Sequence, residues 1–228
     1  MTGHRRPWIV GVSGASGTPY AATLLRAMLD AGEQVDLVVS QAARLTILDE
    51  TGIHFRDKYW RDDVTSWIGR DPTDIVYWSC ADMAAGPSSG SYLTKGMIVI
   101  PATTASIAGV ALGISKDLLQ RAADVTLKER RPLMLVLREA PLRPSTLEHL
   151  LNLSREGATV IPASPAFYAG CRDVQQLVDF LVGKVLDLCQ VEHDLYRRWT
   201  GQLGAGRIEE SEKGTATAQD PVQCTDFP

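Results

Sequence analysis

The sequence predicts a three-layer α/β domain built on a doubly wound parallel sheet. Short apolar runs alternate along the chain with segments whose apolar residues recur at helical spacing. Such runs are typical of strands that are buried on both faces, as in parallel sheets covered by helices on both sides. The chain has 228 residues, of which 45% are apolar and 22% charged, so it can bury a core that needs neither metal nor disulfides.

The start of the chain supplies two strand and helix pairs. The apolar run at residues 8–13 ends in glycines, and residues 19–31 carry apolar side chains at helical spacing before Gly32, which suits a helix C-terminus. Residues 35–39 are predicted as a second apolar strand, buried on both faces, and residues 42–48 as the next helix.

The same alternation continues through the rest of the chain. Strands are expected at residues 75–78, 97–100, 133–137 and 159–161, and helices at 105–112, 117–127, 144–156 and 174–193. Residues 1–200 are therefore assigned to one domain, and the polar segment 201–228 to a mobile C-terminal tail.

Composition excludes several classes of function. The chain has 23 basic and 27 acidic residues, so its net charge of −4 gives no footprint for nucleic acid or an anionic membrane surface. The uncharged stretch 96–115 contains Pro101 and glycines, which make it a poor membrane span. The four cysteines are scattered without a C-x-x-C pair, which argues against a metal site and favours a reducing, cytoplasmic location.

Ligands of doubly wound sheets bind beyond the carboxyl ends of the strands, so the residues that follow each strand are candidates. After the first strand come Gly14, Ala15, Ser16 and Gly17 at the start of a helix. Glycines and free helix N–H groups suit a phosphate, although a tight turn that needs glycine only for packing has the same pattern. The spacing is not that of the dinucleotide fingerprint, so a mononucleotide such as FMN is favoured over NAD.

Hydroxyl-rich residues follow two other strands. Ser40 ends the second strand, and residues 103–106 begin a helix after the central one with Thr103, Thr104, Ala105 and Ser106. These hydroxyls either cap their helices or bind a flavin. The loop at residues 82–94, which contains Ser89 and Ser91, is long enough to wrap a ligand or to be a surface turn.

Cationic residues between positions 121 and 138 suggest an anion site. Arg121 and Lys128 are seven residues apart and so share one helix face, which binds an anion or is simply solvated. The charges at residues 129–131 are expected to be ordinary surface charges. Arg138 and Glu139 directly follow a strand, where the arginine orients an anion and the carboxylate moves a proton, unless the two form a salt-bridged loop.

Four segments together resemble the UbiX/Pad1-type flavin prenyltransferases over about residues 8–195. They read GASG, DMAAGPSSGSYLTKGM, RAADVTLKERRPLMLVLREAPL and PAFY. The resemblance implies a flavodoxin-like or Rossmann-like fold that binds FMN, in a homo-oligomer built from trimers and commonly a dodecamer. It also implies transfer of a dimethylallyl group from dimethylallyl phosphate to N5 and C6 of reduced FMN without a metal. The product would serve a UbiD-type decarboxylase.

The resemblance also assigns roles to individual residues. FMN is expected to contact Gly14, Ala15, Ser16, Ser40, Thr103, Thr104, Ala105, Ser106 and Arg138. The dimethylallyl phosphate is expected to contact Arg121, Lys128, Tyr168 and Lys184, with Ser89 or Ser91. Glu139 resembles the family's acid and base, and Arg121 and Lys128 are expected to act with it in catalysis.

Two departures from the family pattern keep alternatives open. Lys184 stands where many prenyltransferases have arginine, which leaves the choice of donor open. Ala102 stands in a segment where many have P-C-S, so the first alternative function is an FMN-dependent cysteine decarboxylase of the same fold. A separate alternative is a flavin-binding accessory subunit of a phenolic-acid decarboxylase.

Overall fold

A six-stranded, all-parallel sheet forms the centre of the molecule, in the order β3-β2-β1-β4-β5-β6. The structure is a computed structural model that describes residues 6–166, 171 and 173–199. The strands are β1 (Trp8–Val12), β2 (Val35–Val39), β3 (Ile75–Ser79), β4 (Gly96–Ala102), β5 (Leu133–Leu137) and β6 (Thr159–Pro162).

Helices connect the strands and cover both faces of the sheet. They are α1 (Thr18–Asp30), α2 (Gln41–Thr51), α3 (Trp60–Ile68), α4 (Thr104–Ala111), α5 (Leu118–Lys128), α6 (Pro144–Arg155) and α7 (Val174–Leu188). One-turn 3-10 helices lie at Asp57–Tyr59 and Gly86–Ser88. None of the helices in the described part of the chain has the length and apolar character needed to cross a membrane.

Two hydrophobic clusters divide the helices into two layers. One cluster joins α1, α2, α3 and α7 to one face of the sheet, and the other joins α4, α5 and α6 to the opposite face. Every residue of β1, β2, β4 and β5 is buried, whereas β3 and β6 at the edges are partly exposed. This burial explains why the central strands are apolar runs without alternation, and it confirms the predicted fold class.

The direction in which successive strands are added to the sheet reverses between β1 and β4, the two central strands. The chain moves outward from β1 to β2 and β3 on one side, then returns to β4 and moves outward to β5 and β6 on the other. The helices that follow β1 and β4 pack on opposite faces of the sheet, so a crevice is expected between their first turns at the carboxyl ends of these strands. A crevice at this switch point is the usual ligand site of such sheets.

The structure adds one helix to those predicted and shortens another. Helix α3 is absent from the sequence-based assignment, although Trp60, Val64 and Trp67 have helical spacing, because charged residues surround them. The last helix was expected to reach residue 193 but ends at Leu188. Gln190 has a φ of 57°, and the N–H of Val191 bonds the carbonyl of Leu186 at 3.0 Å, which closes the helix with a left-handed turn.

Candidate functional site

The candidate site lies at the carboxyl ends of β1, β2, β4 and β5. The loops that follow these strands carry Glu139 and the residues predicted to contact FMN, and three of them lead directly into helices α1, α2 and α4, whereas the described residues predicted to bind the donor lie elsewhere in the fold. Each of these helices directs its N-terminal N–H groups toward the same edge of the sheet. Converging helix N-termini favour negatively charged ligands there.

Glycine is required at two positions of the loop after β1. A Cβ on Gly14 would lie 2.4 Å from the Cβ of Ala42, because this loop packs directly against the start of α2. Gly17 has a φ of 111° and occupies the N-cap position of α1 without a side-chain cap. Both glycines therefore have a structural reason, and Gly14 brings the loop into direct contact with the start of α2.

Glu50, which the sequence analysis did not identify, caps α1 from the far end of α2. Its carboxylate accepts hydrogen bonds from the N–H of Gly17 at 2.9 Å and from the N–H and hydroxyl of Thr18 at 2.8 and 2.6 Å. Burial raises the pKa of Glu50, but hydrogen bonds from Thr18, Ser16 and Gly17 outweigh it, so the pKa lies below its ordinary value. The Glu50 carboxylate thus accepts hydrogen bonds from N–H groups in the loop that was predicted to bind a phosphate.

The hydroxyls after β2 and β4 cap the helices that follow. Ser40 accepts a hydrogen bond from the N–H of Ala43 at 3.1 Å, and Thr103 accepts one from the N–H of Ser106 at 3.0 Å. Thr103 is itself held by Ser13, whose hydroxyl accepts its N–H at 2.8 Å. Capping explains these hydroxyls, and each cap satisfies one backbone N–H in the first turn of its helix.

Arg138 connects the end of β5 with the loop after β1. Its Nε donates to the carbonyl oxygen of Ser16 at 3.1 Å. Glu139 is exposed, and its Oε1 accepts the N–H of Ala140 at 3.1 Å. The two residues do not form an ion pair among the contacts of the described residues, so the expected alternative of a salt-bridged loop does not account for them.

The predicted cations Arg121 and Lys128 lie on α5, beside the serine-rich loop. Nε of Arg121 donates to the carbonyl of Ser88 at 3.1 Å, and its Nη1 pairs with Asp124 at 2.9 Å. Lys128 pairs with Glu129 at 2.5 Å, which lowers the pKa of Glu129. The hydroxyls of Ser89 and Ser91 are 2.9 Å apart.

Lys184 lies in the other helical layer. It is on α7, whose core side chains pack on the face of the sheet opposite to α5, and its side chain is 53% exposed. Nζ of Lys184 is 4.0 Å from Oδ2 of Asp187. One copy of the chain therefore does not bring Lys184 together with Arg121 and Lys128. Tyr168 lies outside the described residues.

Arg131 was expected to be an ordinary surface charge, and the structure contradicts this. Its guanidinium donates to the carbonyl of Gly90 at 2.6 Å and to that of Tyr92 at 2.8 Å. The sequence offered no local signal for this role, because the partners lie about 40 residues earlier in the chain.

Comparisons with known proteins agree with one another. A family described as Flavoprotein matches residues 1–186. The chain is 62% identical to the flavin prenyltransferase UbiX of Streptomyces coelicolor, over 88% of this chain and 98% of that protein.

Two solved structures are similar over most of their length. The crystal structure of AnUbiX (PadA1) in complex with FMN and dimethylallyl pyrophosphate has a TM-score of 0.78 and 36% identity, and covers 88% of this chain and 100% of its own. A dodecameric FMN-dependent Ubix-like decarboxylase from Escherichia coli O157:H7 has a TM-score of 0.75 and 41% identity, with 86% and 100% covered. A PPC decarboxylase mutant, 14% identical with a TM-score of 0.58 over 82% of this chain and 100% of its own, shares the fold alone.

Proposed function

The chain belongs to the Flavoprotein family and, within it, to the UbiX flavin prenyltransferases, and from that premise we propose how its residues carry out the reaction. The protein is a transferase that uses FMN. We propose that it joins the dimethylallyl group of dimethylallyl phosphate to N5 and C6 of reduced FMN. The observation that carries the proposal is the match of 62% to a flavin prenyltransferase over 88% of the chain, together with converging helix N-termini at the switch point.

The residues of the crevice fit a phosphorylated flavin. The starts of α2 and α4 supply N–H groups, and their caps Ser40 and Thr103 supply hydroxyls next to them. Because the carboxylate of Glu50 already occupies the start of α1, we place the FMN phosphate near α2, α4 and Arg138 rather than at α1. Thr104, Ala105 and Ser106 then line this end of the ligand.

Gly14, Ala15 and Ser16 would lie beside the flavin ring. Their loop packs directly on the start of α2 through Gly14 and Ala42, which places it next to the helix N-terminus that would bind the phosphate. The reduced flavin supplies the nucleophilic N5 and C6. Ser16 and Glu50 interact with each other, and this pair can hold or move a proton at that side of the ring.

The donor phosphate would be bound by Arg121 and Lys128 with Ser89 and Ser91 where two copies of the chain meet, because Lys128 ends α5 near the start of β5, at the edge of the sheet opposite to the crevice of its own copy. Cleavage of the allylic C–O bond concentrates negative charge on the leaving oxygens. Cations already in position stabilise that charge more as the bond breaks, which accelerates the step. Glu139 would accept the proton that leaves the flavin on ring closure, directly or through the released phosphate.

Lys184 would complete the donor site from a second copy of the chain, and Tyr168, which lies outside the described residues, keeps the donor contact that the family resemblance implies. This follows for Lys184 from its position in the layer opposite to α5. The dodecameric relative supports a homo-oligomer, and exposed Leu147 and Leu151 on α6 supply apolar surface for contacts between copies.

Two further parts of the proposal concern the surroundings of the enzyme. We infer that a UbiD-type decarboxylase receives the product, and that the protein works in the cytoplasm. The thiols of Cys80 and Cys189 are free and buried, and burial raises the pKa of Cys80 to about 11, which keeps it protonated and suits a reducing compartment.

The proposal is tested by an anaerobic assay with reduced FMN and dimethylallyl phosphate, followed by addition of an inactive apo-decarboxylase of the UbiD type. Activation of the decarboxylase supports both the product and its recipient. Formation of prenylated flavin without activation would contradict the recipient alone. The diphosphate donor, tested in parallel, determines which ester the site accepts.

A further inference from the structure

The loop that carries Ser89 and Ser91 is held against α5 by several contacts. We call residues 86–94 the serine loop; it begins with the one-turn 3-10 helix Gly86–Ser88 after β3 and leads into β4. Its sequence GPSSGSYLT has small, flexible residues that do not define one conformation by themselves. Turns within the loop, such as the hydrogen bond from the N–H of Tyr92 to the carbonyl of Ser89 at 3.1 Å, and contacts with other parts of the chain together fix it.

Arg131 supplies three of these contacts. Nη2 donates to the carbonyl oxygen of Gly90 at 2.6 Å, and Nη1 donates to that of Tyr92 at 2.8 Å and to the hydroxyl of Thr94 at 3.2 Å. Thr94 is 4% exposed, so the contact reaches into the protein. The guanidinium thus spans the second half of the serine loop.

The position of Arg131 is itself fixed by the end of α5. Arg130 has a φ of 54°, and its N–H bonds the carbonyl of Leu127 at 2.9 Å. The N–H of Arg131 bonds the carbonyl of Thr126 at 2.9 Å. This pair of hydrogen bonds is a Schellman motif, which terminates the helix and turns the next residue in a defined direction.

The same contacts bring the serine loop against Lys128. A Cβ on Gly90 would lie 2.9 Å from Nζ of Lys128 and 2.1 Å from Oε1 of Glu129. A side chain at position 90 would displace the ends of Lys128 and Glu129. Ser89 and Ser91 flank Gly90 in the sequence, so the backbone at both serines passes close to the end of the Lys128 side chain.

We propose that Arg131 is a positioning residue, which does not bind the donor but holds Ser89 and Ser91 beside Lys128 so that the three bind its phosphate together. The proposal rests on the proposed function, and it names the residue that assembles the donor half of that site. A planar guanidinium reaches the Gly90 and Tyr92 carbonyls with separate nitrogens, whereas a lysine ammonium is a single compact donor centre that cannot span them.

Steady-state kinetics of the full-length protein tests this role, with Arg131→Lys as the variant and Arg130→Lys as the matched control. Arg130 is the exposed neighbour and has the same charge. We expect Arg131→Lys to raise KM for dimethylallyl phosphate about tenfold, which corresponds to the loss of a hydrogen bond from a charged group. Its dissociation constant for FMN should stay unchanged, and Arg130→Lys should match the wild type in both quantities.

The outcomes separate this role from a merely structural one and from the proposed function. An unchanged KM in Arg131→Lys, or equal losses of donor and FMN affinity, would overturn the positioning role. If wild-type protein forms no prenylated flavin, the proposed function fails and the positioning role fails with it.

A second variant decides the question should Arg131→Lys not fold. Thr94→Val removes only the hydroxyl contact of Arg131, so we expect KM for the donor to rise about two- to threefold, consistent with the loss of one weaker hydrogen bond. No rise in this variant would then overturn the proposal.

Discussion

The carboxylate of Glu50 accepts hydrogen bonds from both the backbone N–H and the hydroxyl of Thr18, at 2.8 and 2.6 Å. The contact joins the last turn of α2 to the first turn of α1 across 32 residues of sequence. It places a negative charge at the positive end of a helix, where helix dipoles stabilise it.

Replacement of the Glu50 carboxylate should make Tm vary less between pH 3 and pH 7. Because the pKa of Glu50 is lowered in the folded state, its contribution is present above the ordinary value of 4.5 and is lost as the pH falls through the folded-state pKa. We expect Glu50→Gln to lower Tm at pH 7 by about 2–4 °C, the shift that ~1 kcal/mol gives in a chain of this size. The check is thermal unfolding of both proteins between pH 3 and pH 7. A difference in Tm between wild type and variant that does not shrink as the pH falls would contradict the prediction.

Asp36 should show the opposite pH dependence. It lies in β2 with 1% of its surface exposed, and Nε1 of Trp78 donates to it at 3.0 Å. Burial raises its pKa, and hydrogen bonds from Trp78 and Tyr92 only partly offset this. Its ionisation therefore costs stability as the pH rises from about 3.8 through the raised folded-state pKa.

The test of this sign is Asp36→Asn, which keeps an acceptor for Trp78 without the buried charge. We expect its Tm to exceed that of the wild type at pH 7 and to converge with it at pH 3. A lower Tm at pH 7 would show that the ionised carboxylate stabilises the fold instead.

Removal of the Arg138 side chain should weaken FMN binding. The guanidinium provides a cation at the crevice and ties the loop after β1 to β5 through Ser16. We expect Arg138→Gln to raise the dissociation constant for FMN about tenfold, as measured by quenching of flavin fluorescence. Arg143→Gln, an exposed arginine that bonds Ser145, serves as the control; equal effects in both variants would remove the role of Arg138.

Glu139→Gln should separate catalysis from binding. The carboxylate is exposed just after β5, and it accepts a hydrogen bond from the backbone N–H of Ala140. The amide oxygen of a glutamine can accept the same hydrogen bond. FMN and donor affinities should therefore stay near wild type, while kcat falls by about 100-fold or more because the base is lost. Normal turnover in the variant would assign the proton transfer to another group.

Mixing two variants with weakened donor binding tests whether a site is shared between copies. Arg121→Ala and Lys184→Ala should each weaken donor binding about 10- to 100-fold, because each removes a cation from the phosphate. When the two are co-expressed, random assembly should restore about a quarter of the sites, since an intact site takes Arg121 from one copy and Lys184 from another. If co-expression restores no donor binding, both residues belong to a site within one chain. Lys116→Ala is the control for loss of an exposed lysine.

Local patterns predicted most of the fold and only part of the site. Burial on both faces made the strands visible as apolar runs, but it also concealed Asp36, a charged residue inside β2 that was treated as apolar. Helix α3 was missed because its apolar residues are few and stand among charges.

The residues of the site that were missed act through tertiary contacts. Glu50 reaches α1 from the end of α2, and Arg131 bonds a loop about 40 residues earlier in the chain. Neither contact leaves a periodic signal in the sequence. The loops after the strands were predictable because parallel topology alone brings the carboxyl ends of β1 and β4 to one edge.

The mass of the flavin recovered after incubation with reduced FMN and dimethylallyl phosphate tests the central claim most directly. We predict a flavin heavier by one dimethylallyl unit with wild-type protein and unmodified FMN without the donor. Unmodified FMN in both samples, accompanied by release of carbon dioxide from a cysteinyl substrate, would contradict the account and identify a decarboxylase instead.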